Sequence, residues 1–255
     1  MYLSLQLRYG VFMRWFRISA HRGAPSSAPE NTIPGFVIAM GLDVDFIEFD
    51  VRASRDGVLV VIHDEYVDRT TNGHGRVSDK YFLELRRLDA GSWFSEDFRG
   101  IRIPTLREVL GLLSSCKGEI LVDVKVEGYE KEILGMIYEF DVQDKVWIAS
   151  DNWSILSKVR DMESEIPLMG ITYKLNGEAL RYAKKLNISM LAPRLKDITE
   201  ENIRLCEKYG ILINAGIIND PETACRYANM GVDTISTDNP KLLVSYRNKA
   251  SPIHL

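Results

Sequence analysis

The chain has 255 residues, of which 45% are hydrophobic, 27% charged and 9% aromatic. That is enough to bury a core as one barrel-sized domain or two small ones, and it excludes disorder, a collagen-like repeat and a small disulfide-stapled scaffold. Lys and Arg total 32 against 36 Asp and Glu, a formal charge of −4, so there is no surplus of positive charge to track a nucleic-acid backbone.

The first segment, MYLSLQLRYGVFMRWFR, is apolar, but Arg8, Arg14 and Arg17 interrupt it before the roughly 7–15 apolar residues of a secretory signal develop. No later stretch approaches the ~20 apolar residues of a membrane span. Residues 1–16 read as an extension, with 1–12 loosely packed. Cys116, Cys206 and Cys225 are odd in number and lack metal-binding spacing. They suit a reducing cytoplasm, which is the expected location.

Beyond the extension, β-branched runs alternate with amphipathic stretches of helical length, with no Pro/Gly/Ser-rich linker or charge block between them. Strands are predicted at 16–20, 46–51, 120–125, 146–150, 168–172, 189–192, 211–215 and 234–237. Helices are predicted at 105–113, 130–139, 154–162, 178–186, 199–209 and 222–230. About eight strand-helix units in ~250 residues is the rhythm of an α/β TIM barrel, with a doubly wound open sheet as the alternative. One domain over 17–255 is expected, interrupted at about 52–104. There the Arg55-Asp56-Gly57 turn and the apolar run Val58 to Ile62 read as a hairpin arm, followed by a small cap at the barrel mouth.

The chemistry-bearing residues gather at predicted strand ends, where a barrel places its site. Glu48 and Asp50 alternate with Ile47, Phe49 and Val51, so both carboxylates share the inner face of one strand. Asp123 and Lys125 repeat the spacing on the next strand. Three inward carboxylates form an all-oxygen set suited to a divalent cation, Mg²⁺ or Ca²⁺, with Lys125 as a point charge for an anionic oxygen. His21 and His63 each close a strand candidate on the same rim, where two imidazoles suit a general acid and a general base. Taken singly, each of these features also has a plain structural reading, as an ion pair or a hydrogen-bonded histidine.

Together the motifs resemble the glycerophosphodiester phosphodiesterases. The matching runs are Ala20-His21-Arg22-Gly23, Pro29-Glu30-Asn31-Thr32, Ile47-Glu48-Phe49-Asp50-Val51, Val60 to Asp64, Asp68 to Gly73, Leu88 to Gly91, Ile103 to Leu106, Gly231-Val232-Asp233 and Thr237-Asp238. The resemblance implies a TIM barrel with a cap after the second strand, a bound divalent cation, and hydrolysis of a small glycerophosphodiester to glycerol 3-phosphate and an alcohol. It makes His21 and His63 catalytic, Glu48, Asp50 and Asp123 metal ligands, and Arg22 and Lys125 phosphate-binding. Glu30 and Asn31 would stand behind them, with Asn31 reaching the substrate.

The reaction would run through a cyclic phosphate, with His21 as first base and His63 as first acid. Two departures stand out. The third-strand motif carries Asp123 where the family has Glu, so Asp123 must approach more closely or bind through water. Gly216-Ile217-Ile218-Asn219 lacks an aromatic residue usual in the family, which would widen one wall of the pocket. Competing readings are a lysophospholipase D or sphingomyelinase D-like lipid enzyme, toward which the shorter carboxylate points, and a non-catalytic barrel that only binds. The oligomeric state is left open.

Overall fold

In the computed structural model, which describes residues 4–6 and 12–250, β1 (Ser4–Gln6) and β2 (Phe12–Arg14) form an antiparallel pair outside the main sheet. This pair belongs to the N-terminal extension, whose residues 1–3 and 7–11 lie outside the described residues; the loose packing expected of 1–12 falls mostly there. The main sheet begins with β3 (Arg17–Ala20) and β4 (Phe46–Ala53), and β5 (Leu59–Val61) returns antiparallel along the end of β4, with Val51 opposite Val61. Six further strands follow: β6 (Glu119–Val124), β7 (Val146–Ser150), β8 (Leu168–Thr172), β9 (Met190–Pro193), β10 (Leu212–Ala215) and β11 (Thr234–Thr237). All six lie parallel to their neighbours, and β11 pairs with β3 to close an eight-stranded barrel.

Outside the barrel run α1 (Ile33–Met40), α3 to α9 and, within the cap, the short α2 (Phe82–Leu85). The ranges are α3 (Leu106–Leu113), α4 (Glu130–Glu139), α5 (Trp153–Met162), α6 (Gly177–Lys185), α7 (Glu200–Tyr209), α8 (Pro221–Met230) and α9 (Pro240–Ala250). Among the described residues none is long and apolar enough to cross a membrane. Side chains capping the first turns, Thr105 with Glu108, Asn152, Asn176, Thr199 and Asp220, start α3, α5, α6, α7 and α8, satisfying amide donors that the helix leaves open.

Each barrel strand is buried on both sides. Outward residues such as Phe49, Val51, Ile120, Val122 and Leu168 join the helices in the main core, which is why the strands read as nearly continuous apolar runs. Inward residues Phe46, Leu121, Trp147, Ala149, Met169 and Met190 fill the lumen, large beside small. The lower mouth is plugged by Phe46 edge-on to Trp147, with centroids 5.5 Å apart, and by Arg17 over both rings. Trp147 donates its indole N–H to Glu119 at 3.0 Å. With the lower end packed, the open end is the one where the strands finish.

The segment between β4 and α3 builds a cap with its own small core of Val60, Ile62, Val67, Val77, Leu85, Ala90 and Ile103. Asp89 organises its far side, accepting the N–H groups of Gly91, Ser92 and Gly100 at 2.8–2.9 Å. A side chain at Gly91 would stand 1.9 Å from the carbonyl oxygen of Phe98, so this close approach requires glycine.

Candidate active site

Barrel closure makes neighbours of residues far apart in sequence. Ala20 and Thr237 are register partners, so the residues after them, His21 and Asp238, leave the sheet side by side; His21 Nδ1 donates to Asp238 at 2.8 Å. Asp238 is in turn held by the side-chain amide of Asn219 at 3.2 Å. His63 reaches the same rim from the hairpin: Ile62 N–H donates to the Asp50 carbonyl at 3.0 Å, and Arg52 Nε to the His63 carbonyl at 2.7 Å. Its Nδ1 donates to Asp64 at 2.6 Å. Each imidazole is thus oriented by a carboxylate at one nitrogen, and its other nitrogen is able to take or give a proton near neutrality.

Asp50 and Asp123 are directly paired in register on β4 and β6, and Glu48 lies one inward position below Asp50. All three are buried, and one oxygen from each falls within 4.8 Å of the others. The shorter Asp123 still places one oxygen within 4.8 Å of the other two carboxylates. Glu48 accepts the backbone N–H of Arg22 at 2.6 Å. Asp50 accepts from Asn31 Nδ2 at 2.8 Å, while its own N–H donates back to Asn31 Oδ1 at 3.2 Å. Asn31, expected to reach the substrate, is buried with both ends of its amide engaged by Asp50. Arg22 and Asn31 both hold left-handed backbone, φ 54° and 55°, a conformation uncommon outside glycine that clusters at functional sites.

The charges are far from their solution behaviour. Burial, reinforced by the repulsion of Asp50 and Asp123, pushes the Glu48 carboxyl up to about 8; burial and Asp50 raise Asp123 to about 6, against the pull of Lys125. Burial also acts upward on Asp50, but Lys125, Arg22 and His63 outweigh it and hold Asp50 below the ordinary range. Lys125 Nζ lies 2.5 Å from Asp123 and 3.5 Å from Asp50; burial opposes its charge, and those two carboxylates more than restore it. Asp123 Oδ1 is buried without a hydrogen-bond partner. Mutually repelling buried carboxylates, an orphaned oxygen and all-oxygen donors fit a hard divalent cation.

The two histidines differ. Burial depresses His21, yet the Asp238 bond and the Glu48 charge bring its proton affinity above normal. For His63 burial prevails over Asp50 and Asp64, and its affinity falls below normal.

Arg69, in the cap, was not singled out by sequence, although it lies in one of the matching runs. It pairs with Asp64 through Nε at 2.6 Å and Nη2 at 3.0 Å, and with Glu30 through Nη1 at 2.7 Å and Nη2 at 2.8 Å. Glu30 also holds Arg22 at 2.8 Å. One guanidinium therefore links the residue orienting His63 to the residue orienting Arg22. Asp64 and Asp238 also escaped notice as partners. The available signals were an acid next to His63 and an acid just past the last strand.

A cleft of about 250 Å³ opens beside the triad, lined by His21, Glu48 and Asp123 on one side and by Met169, Ile171 and Ile217 among others across from them. At Gly216 a side chain would stand 2.6 Å from Ser236 Cβ, so backbone forms this wall and Ile217 supplies its apolar surface.

A model of the glycerophosphoryl diester phosphodiesterase family matches residues 21–242. A glycerophosphodiester phosphodiesterase of Caldanaerobacter subterraneus subsp. tengcongensis is 37% identical over 240 residues, spanning 91% of this chain and 98% of its own. One from Bacillus subtilis is 30% identical, spanning 88% and 83% respectively. Among solved structures, an Oleispira antarctica phosphodiesterase in complex with the product sn-glycerol-3-phosphate is similar with a TM-score of 0.84 at 27% identity, over 91% of this chain and 96% of that one. A glycerophosphodiester phosphodiesterase from Agrobacterium tumefaciens gives 0.80 at 28% identity, over 91% and 100%. The matched span opens at His21 and runs through both carboxylate strands and the cap to Asp238, and on these grounds the chain belongs to the glycerophosphoryl diester phosphodiesterase family.

Proposed function

We propose that this chain hydrolyses small glycerophosphodiesters to glycerol 3-phosphate and an alcohol, using His21 and His63 for proton transfer at a site that takes a divalent cation. One observation carries the reading: three buried carboxylates within 4.8 Å of one another share a rim with two imidazoles, each held by its own carboxylate. A cation, Mg²⁺ or Ca²⁺, held by Glu48, Asp50 and Asp123 would offset phosphate charge and make a hydroxyl brought to it more acidic.

The residues divide the remaining work. One histidine takes the proton of the glycerol 2-hydroxyl as its oxygen attacks phosphorus, and the other protonates the alcohol oxygen as the P–O bond breaks. An internal nucleophile avoids the entropy of recruiting water and gives a cyclic phosphate. Water then opens the ring with the two histidines exchanging roles.

Asp238 holds His21 and Asp64 holds His63 in the same way, each at Nδ1, so the geometry suits either imidazole as first acceptor, and His21 as first base with His63 as first acid is retained. Arg22 and Lys125 supply donors to the non-bridging oxygens. Asn31 acts through Asp50, fixing that carboxylate rather than gripping substrate. Cys116, Cys206 and Cys225 are buried and form no disulfide, which accords with a cytoplasmic setting.

The apolar cleft wall of Leu121, Met169, Ile171 and Ile217 favours, as a second reading, a lipid phosphodiesterase acting on a lysophospholipid. A panel of glycerophosphocholine, glycerophosphoethanolamine and lysophosphatidylcholine, each with and without added metal, separates the two. The first reading predicts metal-dependent release of glycerol 3-phosphate from the two water-soluble diesters. Turnover of the lysolipid alone would favour the second. No turnover of any would leave a barrel that only binds, an outcome the intact set of His21, His63, Glu48, Asp50, Asp123, Arg22 and Lys125 argues against.

A further inference from the structure

Beside the cleft, between the ends of β7 and β8 and the starts of α5 and α6, lies a recess of about 350 Å³ lined by Asp151, Trp153, Tyr173, Glu178 and Tyr182 among others. It shares Ile171, Thr172 and Tyr173 with the catalytic cleft, so the two are adjoining compartments of one opening. Tyr173 is 58% exposed and stands where they meet. Its hydroxyl donates to Asp151 at 2.9 Å. Trp153 and Tyr182 stack at 5.7 Å with an interplanar angle of 17°, and Trp153 is fixed by its indole N–H bond to the Ile171 carbonyl at 2.9 Å. Three aromatic rings and two carboxylates therefore face one recess.

The charges on the two sides of Tyr173 are opposite. Arg194 lines the cleft and lies over the Tyr173 ring, its guanidinium carbon 5.1 Å from the centroid, with no acidic partner among the described residues. Asp151 and Glu178 line only the recess. The helix N-termini there, which would otherwise favour an anion, are closed by their own caps: Asn152 accepts from Ser154 N–H at 3.1 Å and Asn176 from Ala179 N–H at 2.9 Å. What remains on offer is aromatic surface and negative charge, the combination that binds ammonium and quaternary ammonium groups.

We infer that this recess receives the cationic end of the leaving alcohol, so that Asp151, Glu178 and the rings of Trp153, Tyr173 and Tyr182 distinguish an ammonium or trimethylammonium alcohol from a neutral one. The inference rests on the phosphodiesterase reading and deepens it. The phosphate sits with the cations of the catalytic cleft, and the headgroup nitrogen crosses Tyr173 to the side of Asp151 and Glu178.

The test is the paired variant Asp151→Asn/Glu178→Gln, which preserves shape and removes both charges. Steady-state kinetics with glycerophosphocholine should show kcat/KM lowered about 5–10-fold, mostly through KM. Glycerophosphoglycerol, whose leaving alcohol is neutral, should be turned over as by the parent chain. Equal loss on both diesters, or no loss on either, overturns the subsite. A readout independent of turnover is saturation-transfer NMR with choline chloride. N-methyl contacts in the parent chain that vanish in the variant are expected, and their absence in the parent overturns the proposal. Failure to hydrolyse either diester would count against the phosphodiesterase reading, and the NMR result would still decide the subsite.

Discussion

Arg69 carries two carboxylates at once, Asp64 and Glu30, each in a two-point contact, and a lysine cannot reproduce that fork. Arg69→Lys should therefore misalign both His63 and Arg22 and lower kcat/KM about 10–100-fold, the usual cost of losing an orienting partner, with the folded state intact by circular dichroism. Unchanged kinetics would mean that Asp64 and Glu30 position their partners without it. For the histidines themselves, His21→Ala and His63→Ala should each lower kcat about 10²–10⁴-fold in steady-state assays. Near-normal turnover in either variant removes that residue from proton transfer. The triad carboxylates and the histidines were legible in sequence because two-residue spacing on a strand and a histidine at a strand end are local patterns. Asp238 was not, because its contact with His21 exists only once β11 closes on β3.

At the scale of elements, all eight barrel strands were readable to within one or two residues from short β-branched runs. Three helices have no counterpart among the predicted ranges: α1, the short α2 of the cap, and α9. In α1, Gly35, Phe36 and Ala39 are buried while Val37 is 52% exposed, so an almost wholly apolar stretch shows no amphipathic period. In α9 the buried positions include Arg247, which hides the face that turns inward. The cap was visible only as a long interruption, since its order depends on single polar residues such as Asp89.

Burial opposes the Asp89 charge, but bonds from the backbone of Ser92, Gly91 and Gly100 outweigh it and depress the carboxyl. A depressed carboxyl contributes its stability above the unfolded-state pKa and loses it as pH falls through the folded one, so this support is complete at neutral pH and lost only in strong acid. Asp89→Ala should speed amide hydrogen exchange at Gly91, Ser92 and Gly100 at neutral pH while leaving the barrel amides alone. Unchanged exchange would show the cap held by its apolar core instead.

Across the whole molecule, a chain of net charge −4 can still offer an anionic diester local positive charge from Arg22, Lys125 and Arg194, to which the cation proposed at the triad would add. The packed lumen and closed lower mouth leave the strand-end rim as the place where backbone irregularity and uncompensated charge gather. A ligand that binds only the folded chain stabilises it by mass action, about 2.7 kcal/mol at a hundredfold excess over Kd. Mg²⁺ or Ca²⁺ should accordingly raise Tm by about 5–10 °C at that excess, and Glu48→Gln should lose most of the rise; a variant stabilised as strongly as the parent would place the cation elsewhere.

Whether the carboxylate triad serves a metal-dependent phosphodiester hydrolysis is decided by measuring glycerol 3-phosphate release from glycerophosphoethanolamine after EDTA treatment and dialysis, then after re-adding Mg²⁺ or Ca²⁺. Activity should disappear with the metal and return with it. Full activity in the demetallated protein would contradict that role.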